Sequence, residues 1–103
     1  MVIAEISVVP VGTARPSVSQ YVARAVGVLQ RRPNLDYTLT GMGTIIEGEL
    51  VAVMDACREM HESVFGAKVQ RVVTTIRIDD RRDRSASAEG KIQAVSKRMP
   101  ETQ

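Results

Sequence analysis

Residues 36–49, DYTLTGMGTIIEGE, decide the fold, because two short alternating stretches flank a glycine-containing turn. Apolar and polar side chains alternate over residues 36–42 and again over TIIEGE, which begins at Thr44. This period of two is typical of β-strands, and glycine permits the tight connection between them. GMGT lacks the lysine and the glycine spacing of a phosphate-binding loop. The segment therefore predicts a β-hairpin.

The chain before the hairpin predicts a strand and then a helix. Residues 2–9 alternate as a strand does. After a loop that contains Pro10, Gly12 and Pro16, Ser17 and Gln20 have the spacing of a capping box, which favours a helix start. One apolar stripe then follows at helical spacing and ends before Pro33: Val18, Tyr21, Val22, Ala25 and Leu29.

The chain after the hairpin repeats this pattern in the order helix, strand, helix. Helical spacing of apolar residues runs from Leu50 to Val64, and Gly66 lies where a helix often ends. Residues 69–78, VQRVVTTIRI, predict a strand rich in β-branched side chains. A short amphipathic helix is expected at the apolar positions Ile92, Val95 and Met99.

The resulting order, β-α-β-β-α-β with an added helix, predicts an α+β ferredoxin-like sandwich: a four-stranded antiparallel sheet with two helices on one face. We expect one domain over residues 1–98 and a polar tail over 99–103. The open face is expected to carry Ile3, Val9, Val73 and Ile45 beside Ser7, Thr44, Thr75 and Arg77. Such a patch is too apolar to leave in water, so the pattern predicts a homo-oligomer.

Composition argues against several classes of partner. Only 3% of the 103 residues are aromatic and the net charge is +2, which argues against base stacking and polyanion binding. The basic run at 81–84 lies among Asp79, Asp80 and Asp83, so its charge is largely neutralised locally. The apolar start, MVIAEISVVP, is too short to span a membrane. We therefore expect neither a nucleic acid nor a membrane as a partner.

The sequence shows no catalytic or metal-binding pattern. The single cysteine, Cys57, cannot form an internal disulfide and indicates a reducing, cytoplasmic setting. Cys57 and His61 share the core-directed stripe of a helix, so packing explains Cys57 better than nucleophilic catalysis. His61 is expected on the helix surface near the negative end of the helix dipole. No metal, no cofactor and no enzymatic activity are expected.

Glu47 is the acidic residue that needs an explanation, because it lies in the middle of an apolar strand. A carboxylate at such a position needs a partner. The sequence leaves open whether that partner is Arg71, Arg77, another subunit or a ligand.

Three segments in order resemble the small thiamine-binding protein family, which is related to YkoF-type binders of thiamine and hydroxymethylpyrimidine. They are VVPVGTARPSVSQYV at 8–22, LDYTLTGMGTIIEGEL at 35–50 and VTTIRIDDRRD at 73–83. The resemblance runs from residue 2 to about residue 97, and the charged segment RRDRSASAEG departs from it.

The resemblance implies a ferredoxin-like fold, dimers that extend their sheets and pair into homotetramers, a cytosolic location and no turnover. It also implies thiamine, or its pyrimidine part, as the ligand. A pocket for thiamine needs an apolar slot, a carboxylate and hydroxyl groups. Thr44 and Glu47 are the first candidates because they lie within the motif. The weaker ligand-binding candidates are Ser7, Ser19, Tyr37 and Arg77, and Thr38 is a further source of a hydroxyl.

Two other functions stay open on the sequence. An assembly protein without a small ligand would use Glu47 for an inter-subunit ion pair with Arg71 or Arg77. A small enzyme of the ferredoxin-like class lacks a suitable set of His, Tyr or Asp residues.

Overall fold

The computed structural model describes residues 1–14, 18–83 and 87–100 and confirms the predicted α+β ferredoxin-like order. One antiparallel sheet has the strand order β2-β3-β1-β4. Its elements are β1 (Val2–Pro10), α1 (Ser19–Gln30), β2 (Asp36–Leu39), β3 (Thr44–Gly48), α2 (Leu50–Ser63), β4 (Val72–Asp79) and α3 (Ala88–Arg98). None of the helices described is long and apolar enough to cross a membrane.

The core lies between α1, α2 and one face of the two central strands. Alternate side chains of β1 point into it, as the period of two predicts, and Ile6 is 1% exposed. Ile46 from β3 and Val53 from α2 are completely buried. With so few aromatic residues, this core is built mainly from aliphatic side chains that interlock at high density.

The strand register corrects one prediction about the open face. Ile6 pairs with Thr44 and Ala4 pairs with Ile46, so Thr44 shares the helix-covered face with these core residues. Its side chain is only 3% exposed. Thr44 was therefore assigned to the wrong face. Ile45 and Ile46 are both apolar, so the local pattern does not reveal which of them points inward.

The two helices cover the sheet unevenly. Both helices pack on β1 and α2 also packs on β3, whereas the contact with β4 is slight. Ile76 and Ile78 lie on the helix-covered face opposite Ile6 and Ala4, yet they are 37% and 39% exposed. The edge strand β4 thus keeps apolar side chains in contact with water.

Several predicted boundaries shift. β2 ends at Leu39 rather than residue 42, because Thr40 to Gly43 form the turn. β4 begins at Val72, since residue 69 forms only an isolated bridge with Gly66. Ser17, the predicted helix cap, lies outside the described residues. The observed N-cap of α1 is Val18, which makes no side-chain capping bond, so the capping box is not the start seen.

The third helix, α3, contacts the sheet at its start, where the Ala88 amide donates to Glu47 and Lys91 pairs with Asp79. Its N-cap is Ser87, whose hydroxyl accepts a hydrogen bond from the Gly90 amide at 3.0 Å. Every residue from Glu89 to Met99 is exposed. The amphipathic helix predicted there is confirmed, but its apolar stripe contacts none of the core.

Candidate functional site

A cavity of about 270 Å³ opens between α1, the β2–β3 turn and the end of β1. Its position follows from strand lengths: β1 runs to Pro10, whereas its pairing with β3 ends at Ile6 and Thr44. Six of its lining residues are Val8, Val22, Val26, Leu39, Thr44 and Met60. This volume lies just below the range of about 300–1,000 Å³ that is typical of small-molecule sites.

The backbone of Val8 forms a polar edge of this cavity. The Ile6 carbonyl oxygen faces β3, since a Cβ added to Gly43 would lie 3.0 Å from it. On the opposite side of β1, the Val11 amide donates to the Arg71 carbonyl at 2.9 Å. Alternate residues of a strand direct their backbone groups to the same side, so Val8 presents its N–H and C=O towards the cavity. A paired donor and acceptor is therefore available there.

The Thr44 hydroxyl is the buried polar side chain of the cavity. Within the part of the chain that the structure describes, this hydroxyl has no protein hydrogen-bond partner. A hydroxyl can both donate and accept a hydrogen bond. No buried side-chain oxygen or nitrogen atom of the described residues lacks a partner, so the Thr44 oxygen is accessible from the cavity. Thr44 is thus suited to bind a polar atom of a ligand.

The turn at the mouth of the cavity is held by one side chain. The Thr40 hydroxyl donates to the Gly43 carbonyl at 2.7 Å and accepts from the Gly43 amide at 3.1 Å. The Thr40 amide also donates to the Gly43 carbonyl, at 2.8 Å. Leu39 and Met42 project from this turn and are 58% and 86% exposed. A rigid turn thus presents an apolar rim to solvent.

Glu47 lies on the opposite face of the sheet. It is three residues from Thr44 along the same strand, so the two side chains point in opposite directions. Its carboxylate Oε1 accepts a hydrogen bond from the Ala88 amide, at the start of α3, at 2.6 Å. The structure therefore does not bring Thr44 and Glu47 together, and one ligand in this cavity cannot contact both side chains.

The remaining candidates are dispersed. Arg77 is on the open face and pairs with Glu5 at 2.5 Å. Ser7 lines the cavity, but its side chain belongs to the set of β1 that points to the open face. Tyr37 is 38% exposed on the edge strand β2, and Ser19 is an exposed residue at the start of α1. Of all candidates, only Thr44 and Ser7 line the cavity.

Sequence reasoning missed most of the cavity. Val22 was predicted only as part of the apolar stripe of the first helix, whereas the structure shows it half-buried and lining the cavity. The Val8 backbone carries no sequence signal at all, because every residue has the same groups. One usable signal was strand length: the first strand is longer than the strand after the turn, which indicates that part of the first strand lacks a partner there.

Cys57 is buried in the core, and His61 contacts Thr74 and Phe65. Cys57 is 1% exposed, and burial raises the pKa of its thiol to about 11. His61 is half-buried rather than on the surface: its Nδ1 lies 2.6 Å from the Thr74 hydroxyl, and its ring packs edge-on against Phe65. Among the described residues, no three His, Cys, Asp or Glu side chains are placed to hold a metal ion.

The sequence and this geometry agree with a known family. The family model described as thiamine-binding protein matches residues 4–96. The chain belongs to the thiamine-binding protein family. Within the family, it is 43% identical over 102 residues to the UPF0045 protein YqgV of Bacillus subtilis, covering 96% of this chain and 98% of that one. A UPF0045 protein of Methanothermobacter thermautotrophicus is 42% identical over 100 residues, covering 96% of this chain and 100% of that protein.

Solved structures confirm the fold. The hypothetical protein MJ1052 of Methanocaldococcus jannaschii superimposes with a TM-score of 0.84 at 36% identity, covering 92% of this chain and 95% of that one. TM0486 of Thermotoga maritima, a proposed thiamine biosynthesis or salvage protein, has a TM-score of 0.76 at 22% identity. That match covers 91% of this chain and 97% of TM0486, and it supports the fold alone.

Proposed function

We propose that the chain binds thiamine, or its hydroxymethylpyrimidine part, in the cavity beside α1 as a cytoplasmic homo-oligomer and without catalysis. The observation that carries the proposal is the unpartnered Thr44 hydroxyl beside the free strand edge of Val8. Family membership supports the choice of ligand. A buried, unpaired Cys57 suits a reducing compartment.

The aminopyrimidine ring fits the chemistry of the cavity. It carries an amino donor next to a ring-nitrogen acceptor, which is complementary to the C=O and N–H of Val8. The ring faces would contact aliphatic side chains such as Val22 and Val26. The Thr44 hydroxyl would then bind a further polar atom of the ring or of its substituent.

The thiazolium ring of thiamine belongs at the mouth of the cavity. No charged side chain lines the cavity among the described residues. Burial of a fixed positive charge without a carboxylate is unfavourable, so the neutral pyrimidine enters and the cation stays near Leu39 and Met42. Hydroxymethylpyrimidine should therefore bind within about tenfold of thiamine, or within about 1.4 kcal/mol.

Thermal unfolding with ligand tests the proposal. Ligand at a hundred times its Kd stabilises a protein by about 2.7 kcal/mol, which raises the Tm of a domain this size by about 10 °C or more. Thr44→Val should fold normally and weaken binding about fivefold or more, because it removes one hydrogen bond. The proposal fails if thiamine, its phosphates and hydroxymethylpyrimidine all leave the Tm unchanged at millimolar concentration.

Thr38→Val is the matched control for Thr44→Val. Thr38 pairs with Ile45, so its side chain lies on the open face of the sheet, away from the cavity. This variant removes the same hydroxyl and should bind like the wild type. Glu47→Gln should also bind normally, because Glu47 is on that same open face. A large loss with Glu47→Gln and none with Thr44→Val would move the site to the open face.

An assembly protein without a small ligand is the alternative, and the exposed apolar side chains of β4 favour it. Its predicted ion pair is less well supported, because Arg77 pairs with Glu5 and Glu47 accepts from Ala88 within one chain. Flat ligand titrations together with a stable oligomer would favour this alternative.

A further inference from the structure

A second cavity, of about 300 Å³, lies on the far side of α1 from the cavity that Thr44 lines, here called the Thr44 cavity. Val22 and Val26 of α1 line the Thr44 cavity, whereas Gln20 and Arg24 line the second one. At about 3.6 residues per turn, these two pairs lie on opposite faces of the helix. The two cavities are therefore separate spaces.

The loop that joins α2 to β4 forms the other wall of the second cavity. The Gly66 amide donates to the Val69 carbonyl at 3.2 Å, and the Val69 amide donates to the Gly66 carbonyl at 3.1 Å. These two hydrogen bonds fix the tight turn that carries Lys68. The buried side chains of Val64 and Val69 also line the cavity, so its inner wall is apolar.

The charged lining of this cavity is entirely basic among the described residues. It consists of Arg24 from α1 and Lys68 from the loop, and neither forms an ion pair with a described carboxylate. The basic side chains of the α1–α2 seam differ, because Arg31, Arg32 and Arg58 all pair with carboxylates. The second cavity, called the basic cavity below, thus carries positive charge that the described part of the chain does not neutralise.

Tyr21 holds one of these charges at the cavity wall. The Arg24 guanidinium carbon lies 5.6 Å from the centre of the Tyr21 ring, which is an attractive cation–π contact. The Tyr21 hydroxyl makes no hydrogen bond within the described part of the chain, where no buried side-chain oxygen or nitrogen lacks a partner. This hydroxyl is therefore accessible, and it can donate to an anion bound beside Arg24.

Charge and lining together indicate one class of ligand. A phosphate monoester carries a charge of about −1.5 to −2 near pH 7 and has three acceptor oxygens. It complements two cations and a phenol hydroxyl, which can each donate to a separate oxygen. Inorganic phosphate alone would leave the apolar wall in contact with water, whereas a small hydrocarbon body would cover Val64 and Val69.

We propose that the basic cavity binds a small phosphate monoester, with its phosphoryl group on Arg24, Lys68 and the Tyr21 hydroxyl and its apolar part against the valine wall. This site is additional to the proposed function and does not depend on it, since the Thr44 cavity lies on the opposite face of α1. The two sites should therefore bind their ligands independently.

Isothermal titration calorimetry with phenyl phosphate tests the proposal, at an ionic strength of about 0.1 M where the Debye length is about 10 Å. We expect one site per chain with a Kd of about 1 mM or below. Inorganic phosphate should bind about tenfold more weakly, because it has no ring to cover the valine wall. Benzoate should also bind about tenfold more weakly, because it carries a single negative charge.

Two charge-matched double variants locate the site. Arg24→Gln with Lys68→Gln removes two positive charges from the basic cavity, and Lys97→Gln with Arg98→Gln removes two from α3, which does not line it. The first should raise the Kd for phenyl phosphate about tenfold or more, and the second should leave it within about twofold. All four side chains are exposed, so both variants should keep the Tm of the wild type.

Tyr21→Phe tests the hydroxyl separately. It keeps the ring beside Arg24 and removes one hydrogen-bond donor, so the Kd for phenyl phosphate should rise about fivefold. Circular dichroism and the Tm should confirm that this buried ring still packs. A folded Tyr21→Phe variant with the Kd of the wild type would remove the hydroxyl from the site.

Three outcomes would overturn the proposal. They are no heat with phenyl phosphate at millimolar concentrations, an equal rise in Kd for the two double variants, and competition between phenyl phosphate and hydroxymethylpyrimidine. The last would place the anion in the Thr44 cavity. Absence of hydroxymethylpyrimidine binding, with phenyl phosphate bound as expected, would contradict the proposed function and support the basic cavity as a site of its own.

Discussion

The two halves of this molecule use similar apolar residues but differ in what covers them. Where two helices pack on β1 and β3, Ile46 of β3 and Val53 of α2 are completely buried. On β4 and α3, Val73 and Ile92 remain 49% and 64% exposed. The covered half is a finished core that leaves a cavity at one end. The exposed half has the composition of a core, yet its apolar side chains stay in contact with water in the part of the chain that the structure describes.

Truncation of one isoleucine in each half should give the largest contrast. Ile46→Ala removes completely buried atoms, and we expect a loss of about 2–5 kcal/mol in the free energy of unfolding. Ile76→Ala on the same sheet face, 37% exposed, should cost about 1 kcal/mol or less in dilute protein. Urea unfolding at two protein concentrations measures both. Equal losses at low concentration would contradict the division into two halves.

Thiol reactivity should also differ between the covered half and the exposed half of the molecule. Because burial raises the pKa of Cys57 from 9.0 to about 11, its thiolate fraction near pH 8 is about a hundredfold lower than that of an ordinary thiol. Cys57 should react with a disulfide reagent only after unfolding. In the Cys57→Ala background, Val73→Cys should react rapidly in the folded monomer. Rapid labelling of Cys57 in the folded wild type would show that the core is open.

Two glycine-to-alanine substitutions should change the free energy of unfolding in opposite directions. A Cβ at Gly48 would collide with the buried Leu35 side chain and touch Val53, so Gly48→Ala should cost about 1–3 kcal/mol by overpacking. Gly27 lies within α1 with nothing within 4 Å of an added Cβ. Gly27→Ala should stabilise the fold by about 0.5–1 kcal/mol. Urea unfolding of both variants measures these changes. Two changes in the same direction would contradict the close packing described around Gly48.

The ion-pair network over the α1–α2 seam should give the smallest effect. Hydrogen bonds from Arg58 and then Arg32 lower the pKa of Asp55, and a hydrogen bond from Arg32 lowers that of Glu59. A carboxyl group whose pKa is lower in the folded state stabilises the fold at pH values above its unfolded pKa of about 4. This stabilisation is lost as the pH falls through the folded-state pKa.

Asp55→Asn tests this network. It should lower the Tm at pH 7 by about one or two degrees, because exposed pairs contribute little. The difference from the wild type should shrink towards pH 2. Glu62→Gln is the control, since Glu62 pairs with Arg58 alone on the same helix. A Tm difference that is as large at pH 2 as at pH 7 would assign the effect to packing.

Local patterns predict the elements of this fold well because they depend on near neighbours. The alternation in β1 and the helical spacing in α2 both correspond to observed burial. The face of Thr44 could not be read this way, because it depends on pairing with Ile6, a residue 38 positions away. Neighbouring isoleucines at 45 and 46 hide the inward direction of the strand.

The candidate site depends even more on the pairing of strands that are distant in the sequence. The cavity exists because β1 continues beyond its last pair with β3, and its polar edge is the backbone of Val8. Glu47 stood out in the sequence as a charge in an apolar run, and the structure gives it a partner in the amide of Ala88. A residue that breaks a pattern thus marked a structural contact rather than the cavity.

An amide-resolved NMR titration with hydroxymethylpyrimidine tests the central claim most directly. The account predicts shifts of the Val8, Val22 and Thr44 amides at one common dissociation constant, with the amides of Ile3, Glu47 and Arg77 unmoved. Shifts confined to Ile3, Glu47 and Arg77 would place the ligand on the open face and contradict the account.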